Sequence, residues 1–135
     1  MKLLTTSIRE QLLRNGQERA ARDQAGEDDP DYLPVVKLFT SDAACTWLLT
    51  ELDPEEPDIA FGLCDLGMGC PELGSVRISE LEALRGRLGL PVERDLHFQP
   101  AYPLSVYARA AWNAAAVTER RDELEAAAQA GEGAV

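Results

Sequence analysis

Histidine occurs once in the 135 residues, at His97, and this excludes any metal site that needs two imidazoles, such as the paired-histidine helix of zinc hydrolases. No run approaches the ~18 apolar residues that span a bilayer. Polar Thr5, Thr6, Ser7 and Arg9 interrupt the N-terminal apolar residues at once, so no signal peptide is expected and the chain is read as cytoplasmic. Cysteine is sparse and odd in number: Cys45, Cys64 and Cys70 fit no closed disulfide framework and are expected as reduced thiols. Basic residues are also few. With 13 Lys and Arg against 24 Asp and Glu, the formal net charge is −11. Direct binding to nucleic acid or to an anionic membrane draws its affinity from Lys and Arg, so neither is expected. A basic protein partner remains open. No glycine-rich phosphate cradle is present either, because Asp65-Leu66-Gly67-Met68-Gly69 has the composition of a hairpin connection.

What is present is an ordinary globular composition, 45% hydrophobic and 27% charged, in a length typical of one domain. Ser7 to Arg22 reads as a helix, with Ser7 and Glu10 at capping-box spacing and Gly16 as a point of weakness. Gly26 to Pro34, rich in Asp, reads as a loop, and Gly26 to Asp31 as a disordered piece of it. Four strand patterns follow: Val35 to Thr40, Cys45 to Leu52, Ile59 to Cys64, and Leu73 to Ile78. The second is apolar on both faces and is placed at the centre. Short polar connections favour antiparallel hairpins over parallel crossovers.

Ser79 to Leu88 reads as a second helix, opened by a Ser79–Glu82 capping box and faced by Leu81, Leu84 and Leu88. Glu93 to Phe98 is a short fifth strand. Pro103 opens a long helix over Leu104 to Gln129, stopped by Gly131. Trp47 and Trp112 are expected as core anchors. The pattern gives one α+β domain over residues 1–130. It has a small antiparallel sheet of four to five strands, flanked by an N-terminal helix, a short middle helix and a long C-terminal helix. Residues 131–135 are expected as a disordered tail.

Several short pieces in collinear order resemble the family of small bacterial proteins catalogued as domain of unknown function 2958. They are Leu3-Leu4-Thr5, Lys37-Leu38-Phe39-Thr40, Thr46-Trp47, Phe61-Gly62-Leu63-Cys64-Asp65 and Pro71-Glu72-Leu73-Gly74. Ile78-Ser79-Glu80-Leu81-Glu82 and Gly89-Leu90-Pro91-Val92-Glu93-Arg94-Asp95-Leu96 complete the set. The resemblance implies a compact domain and a setting on plasmids, phages or other mobile elements. It brings no reaction and no catalytic residue.

Two acidic constellations stand out. On a strand, Glu93, Asp95 and His97 would share one face, where carboxylates and an imidazole can move a proton; they can equally form a salt-bridged surface. Asp53, Glu55, Glu56 and Asp58 lie in a proline-stiffened turn and are the candidate binding residues, although acidic runs of this kind are ordinarily solvated loops. Three functions stay open. The first is a non-enzymatic accessory protein that binds another protein. The second is an acidic DNA-mimic inhibitor of the anti-restriction or anti-CRISPR type, which occupies the groove of a nucleic-acid-binding host protein. The third is a small enzyme using Glu93, Asp95 and His97. No cofactor is expected. Because the Cys64-to-Cys70 spacing is wider than a zinc knuckle, elemental analysis of protein purified without chelator should find no stoichiometric zinc; about one ion per chain would contradict this reading.

Overall fold

The computed structural model describes residues 2–132. Helix α1 (Thr6–Ala25) precedes strands β1 (Val36–Thr40), β2 (Thr46–Leu52), β3 (Ile59–Asp65) and β4 (Glu72–Arg77). Helix α2 (Ile78–Ala83), strand β5 (Val92–Arg94) and helices α3 (Leu104–Ala114) and α4 (Arg121–Glu132) follow. The fold is the α+β arrangement expected. All five strands form one antiparallel sheet in the order β4-β3-β2-β1-β5, a four-strand meander with β5 returning to pair with β1.

Each face of the sheet carries its own core. Leu38, Trp47, Leu49 and Leu52 meet Leu12 of α1 and Ile78 and Leu81 of α2 on one side. Leu48 and Leu63 meet Leu104, Tyr107 and Ala111 of α3, and Leu124 and Ala127 of α4, on the other. Strand β2 is central because alternate side chains supply both cores.

Helix α1 begins earlier than its sequence suggests. Burial of Leu3 and Leu4 brings the chain to the helix at Thr5, whose Oγ1 accepts the Ile8 N–H at 3.1 Å, so the Ser7–Glu10 capping box does not form. Gly16 does not break the helix. A Cβ there would stand 1.7 Å from the carbonyl oxygen of Leu52, so glycine lets α1 lie directly on β2. The Asp-rich loop after α1 is tied down through Asp29, Pro30, Asp31 and Tyr32.

The Ser79–Glu82 capping box is also absent, and α2 is six residues long. Its cap comes from the turn between β2 and β3. Asp58 Oδ1 accepts the Ser79 N–H at 2.9 Å, Oδ2 accepts the Ser79 hydroxyl at 2.6 Å, and the Asp58 carbonyl accepts the Ile78 N–H at 2.8 Å. The register explains the proximity, since Ile59 pairs with Arg77 at the head of α2. Helix α3 repeats the device: Asp31 accepts the Ser105 N–H at 3.1 Å and its hydroxyl, and the Tyr32 carbonyl accepts the Leu104 N–H at 2.8 Å. Beyond α2 the chain turns, leaving Leu84 and Leu88 exposed rather than on a helix face.

The C-terminal helical stretch is divided in two. Ala115 takes a left-handed conformation at φ 61°, and Asp65 Oδ2 accepts the Val117 N–H at 3.0 Å, fixing the turn that folds α4 back onto α3. Trp112, on α3, is not the core anchor expected: it is 55% exposed, and its indole N–H donates to the Pro71 carbonyl at 3.0 Å. Trp47 is buried as expected. Helix α4 runs past Gly131 to Glu132; the rest of the tail expected over 131–135 lies outside the described residues.

Helix propensity favours Gly16→Ala by ~1 kcal/mol. The Leu52 carbonyl reverses the sign, and an overpacking loss of ~1–3 kcal/mol is expected in chemical denaturation. Asp58→Ala should lower the denaturation midpoint more than Glu82→Ala does. The bonds from Ser79, with Arg77 nearby, hold the Asp58 carboxyl below its ordinary range. Its contribution is therefore present above the unfolded value of about 3.9 and is lost as pH falls through the lower folded value. An Asp58→Ala variant equal to Glu82→Ala at neutral pH would return the cap to Glu82.

Candidate functional site

Strand β2 reads Trp47-Leu48-Leu49-Thr50-Glu51-Leu52, and strict alternation would drive Glu51 into the apolar core beside Trp47 and Leu49. The ladder to β3 slips instead, pairing Leu49 with Gly62 but Glu51 with Phe61, so Thr50 is an extra residue in a β-bulge. The bulge keeps Leu52 in the first core and turns Glu51 onto the opposite face, next to Phe61. Gly62 accommodates the close passage of β2, since a Cβ there would meet the Leu48 carbonyl oxygen at 1.9 Å.

Glu51 is still nearly enclosed, with its side chain 7% exposed. A buried carboxylate must be paired and hydrogen-bonded. Arg19, reaching over from α1, donates Nε–H to Glu51 Oε2 at 2.6 Å, and the Thr50 hydroxyl lies 3.3 Å from Oε1. The guanidinium has further partners: Nη2 donates to the Pro30 carbonyl at 3.0 Å and Nη1 lies 3.4 Å from Asp29. It also sits over the rings of Phe61 and Tyr32, at 5.8 and 6.0 Å from their centroids. Burial pulls its pKa down, but Glu51 and Asp29 outweigh burial and raise it.

A second layer supports the pair. Asn15 donates from Nδ2 to the Thr50 carbonyl at 2.9 Å, satisfying an acceptor at the bulge, and accepts from Gln11 at 2.9 Å. The Tyr32 hydroxyl is shared between the Asn15 carbonyl at 3.0 Å and Glu18 at 2.5 Å; burial and Glu18 push its pKa up.

This network forms the wall of a cleft. A cavity of about 530 Å³ extends over Gly16, Arg19, Glu51, Leu52, Asp53, Glu55, Ile59 and Phe61. An adjoining one of about 270 Å³ shares Arg19, Asp29 and Phe61 and reaches Leu73 and Ser105. Among the lining residues of the larger cavity Arg19 is the one cation, against the carboxylates of Asp23, Asp29, Glu51, Asp53 and Glu55. A side-chain hydrogen bond to Asp29, with burial adding to it, raises the Asp23 carboxyl. The floor is apolar and the rim anionic, which suits a cation carried on an aliphatic stem.

The turn singled out in the sequence divides between two surroundings. Asp53 and Glu55 line the cleft. Asp53 Oδ1 also accepts the Glu55 and Glu56 N–H groups at 2.9 and 3.4 Å. Glu56 and Asp58 face Arg77 instead, at 2.9 and 3.7 Å. The second constellation is spread out because β5 ends at Arg94. Glu93 accepts from Ser41, Asp95 pairs with Lys37 at 3.3 Å and accepts the His97 N–H at 2.9 Å, and His97 is exposed. Among the described residues, no group of three or more His, Cys, Asp or Glu stands where it could hold a metal ion. No described helix is long and apolar enough to cross a membrane.

Asn15, Arg19, Tyr32 and Glu51 escaped the sequence reading. The one available signal was the broken phase of β2, where apolar Trp47 and Leu49 are followed by Leu52.

A family model described as Protein of unknown function (DUF2958) matches residues 3–118. No curated protein and no solved structure matches the chain.

Arg19→Met leaves Glu51 enclosed without its cation, and a loss of ~3–5 kcal/mol is expected. Pairing it with Glu51→Leu should restore much of that loss. A double variant as unstable as the sum of the singles would mean that the two side chains are not coupled.

Proposed function

Since the chain belongs to the DUF2958 family, whose description names no reaction, we propose that the protein acts without catalysis, by binding a basic segment of a partner protein in the acidic cleft beside Glu51. The observation that carries this reading is the cleft itself: an apolar floor of Ile59 and Phe61 under a rim of carboxylates. A Lys or Arg side chain lays its methylene stem on such a floor and presents its charge to the rim. The net charge of −11 extends the attraction beyond the cleft and speeds encounter with a basic partner. An accessory role on a bacterial mobile element, which the family resemblance implied, belongs to the same proposal.

The DNA-imitating version draws on total charge alone. Asp31, Asp42, Asp53, Asp58, Asp65 and Asp95 each accept N–H groups of this chain's own backbone, so part of the charge is explained by folding. An enzymatic reading of Glu93, Asp95 and His97 has less support still, because Glu93 is bonded to Ser41, Asp95 is paired with Lys37, and Asp95 meets His97 at its backbone N–H rather than at its imidazole.

Asp53→Asn with Glu55→Gln removes two charges from the rim, while the side-chain amide introduced in place of Asp53 keeps an acceptor for the turn. Affinity for an amidated Lys- and Arg-rich peptide should fall about tenfold at low salt, and the difference should shrink as ionic strength rises. The same change on α4, Glu123→Gln with Glu125→Gln, should leave affinity nearly unaltered. Equal effects from the two pairs would reduce the binding to net charge and remove the cleft from it.

A further inference from the structure

Strand β4 is the margin of the sheet, bonded among the described residues to β3 on one side only. Its ladder runs unbroken through six pairs, from Ile59↔Arg77 to Cys64↔Glu72, with no bulge to twist the edge away. Natural sheets protect such edges with proline, inward charges, bulges or a covering helix. Here the charged residues stand at the two ends, Glu72 and Arg77, and Leu73-Gly74-Ser75-Val76 between them carries none. At Gly74 a Cβ would meet nothing within 4 Å, and Leu73 is 41% exposed. Alternate residues of an edge strand turn their N–H and C=O groups outward, and a partner strand can take them.

The edge adjoins the cleft. Ser75 lines the larger cavity and Leu73 the smaller. At the start of the strand stands Trp112, half exposed and held by its bond to the Pro71 carbonyl. Large aromatic side chains fixed in this way are the usual anchors of protein interfaces.

We infer that an extended basic segment of the partner protein adds to the sheet as a sixth strand along the free edge of β4. This rests on the cleft reading above and specifies how the segment is held. Alternate side chains of an added strand point to one face, so Lys or Arg at every second position lies toward the cleft and its acidic rim. The main chain supplies affinity through ladder bonds, and the spacing of basic residues supplies selectivity. Charge decides the occupant. A second copy would bring its own net charge of −11 to the same edge, whereas a basic strand neutralises the carboxylates it meets.

Hydrogen exchange read by NMR tests the inference, with amidated dodecapeptides of alternating Arg-Val and Lys-Thr as probes and an alternating Glu-Val peptide as control. The basic probes should slow exchange of alternate amides within residues 72–77 by about tenfold or more, and the acidic control should not. Resonance shifts at Glu51 and Phe61 without protection on β4 would overturn the added strand while leaving the cleft reading intact. Absence of binding by the basic probes at low salt would overturn both. Protection of the same amides in free protein, rising with concentration alongside a dimer in sedimentation, would assign the edge to a second copy instead.

Discussion

The pairing of Glu51 with Arg19 is the constraint from which the candidate site follows. A carboxylate in the middle of an apolar central strand can be tolerated only if it leaves the core or is neutralised there. The Thr50 bulge does the first and Arg19 does the second. Other features follow from those two. The bulge carbonyl needs a donor, which Asn15 supplies, and α1 must lie close enough for both side chains to reach, which Gly16 allows. Tyr32 and Phe61 flank the guanidinium, and the remaining concavity is the cleft.

A second principle organises the rest of the chain. Aspartates in loops and at a strand end accept backbone N–H groups from segments distant in sequence. Asp58 caps α2, Asp31 caps α3, Asp65 holds the turn after α3, and Asp42 accepts the N–H groups of Leu88 and Leu90. Charge-assisted bonds of this type are stronger than neutral ones, and they satisfy donors that helix ends leave free. An acidic composition is thus partly a consequence of how the loops are fastened. Part of the remaining charge, at Asp23 and Glu55, stands on the cleft rim.

Much of the fold was legible in the sequence because it depends on local patterning. Apolar and β-branched runs, alternating in the second and third, marked the strands, and short polar turns favoured the antiparallel meander. Helix starts were harder to read for a definite reason. Ser79 and Ser105 do stand at helix starts, but their carboxylate partners, Asp58 and Asp31, come from loops far away in the chain rather than from three residues along. The C-terminal helix was read as continuous because alanine favours helix on both sides of Ala115, and the turn is set by Asp65 on a different element. The cleft was least legible. Its ion pair joins residues 32 positions apart, and a single register slip decides which face Glu51 occupies. Of the candidate binding residues named from sequence, Asp53 and Glu55 stand on its rim.

The central claim is that the Arg19–Glu51 cleft receives cationic side chains. The side-chain Nε–H of Arg19, bonded to Glu51 at 2.6 Å and a quarter exposed, should give a slowly exchanging NMR signal of its own. Titration with free arginine amide and lysine amide should move that signal together with the backbone signals of Glu51, Asp53 and Phe61, saturably and less strongly at high salt. An Arg19 signal that stays in place while signals elsewhere on the surface move would contradict the account.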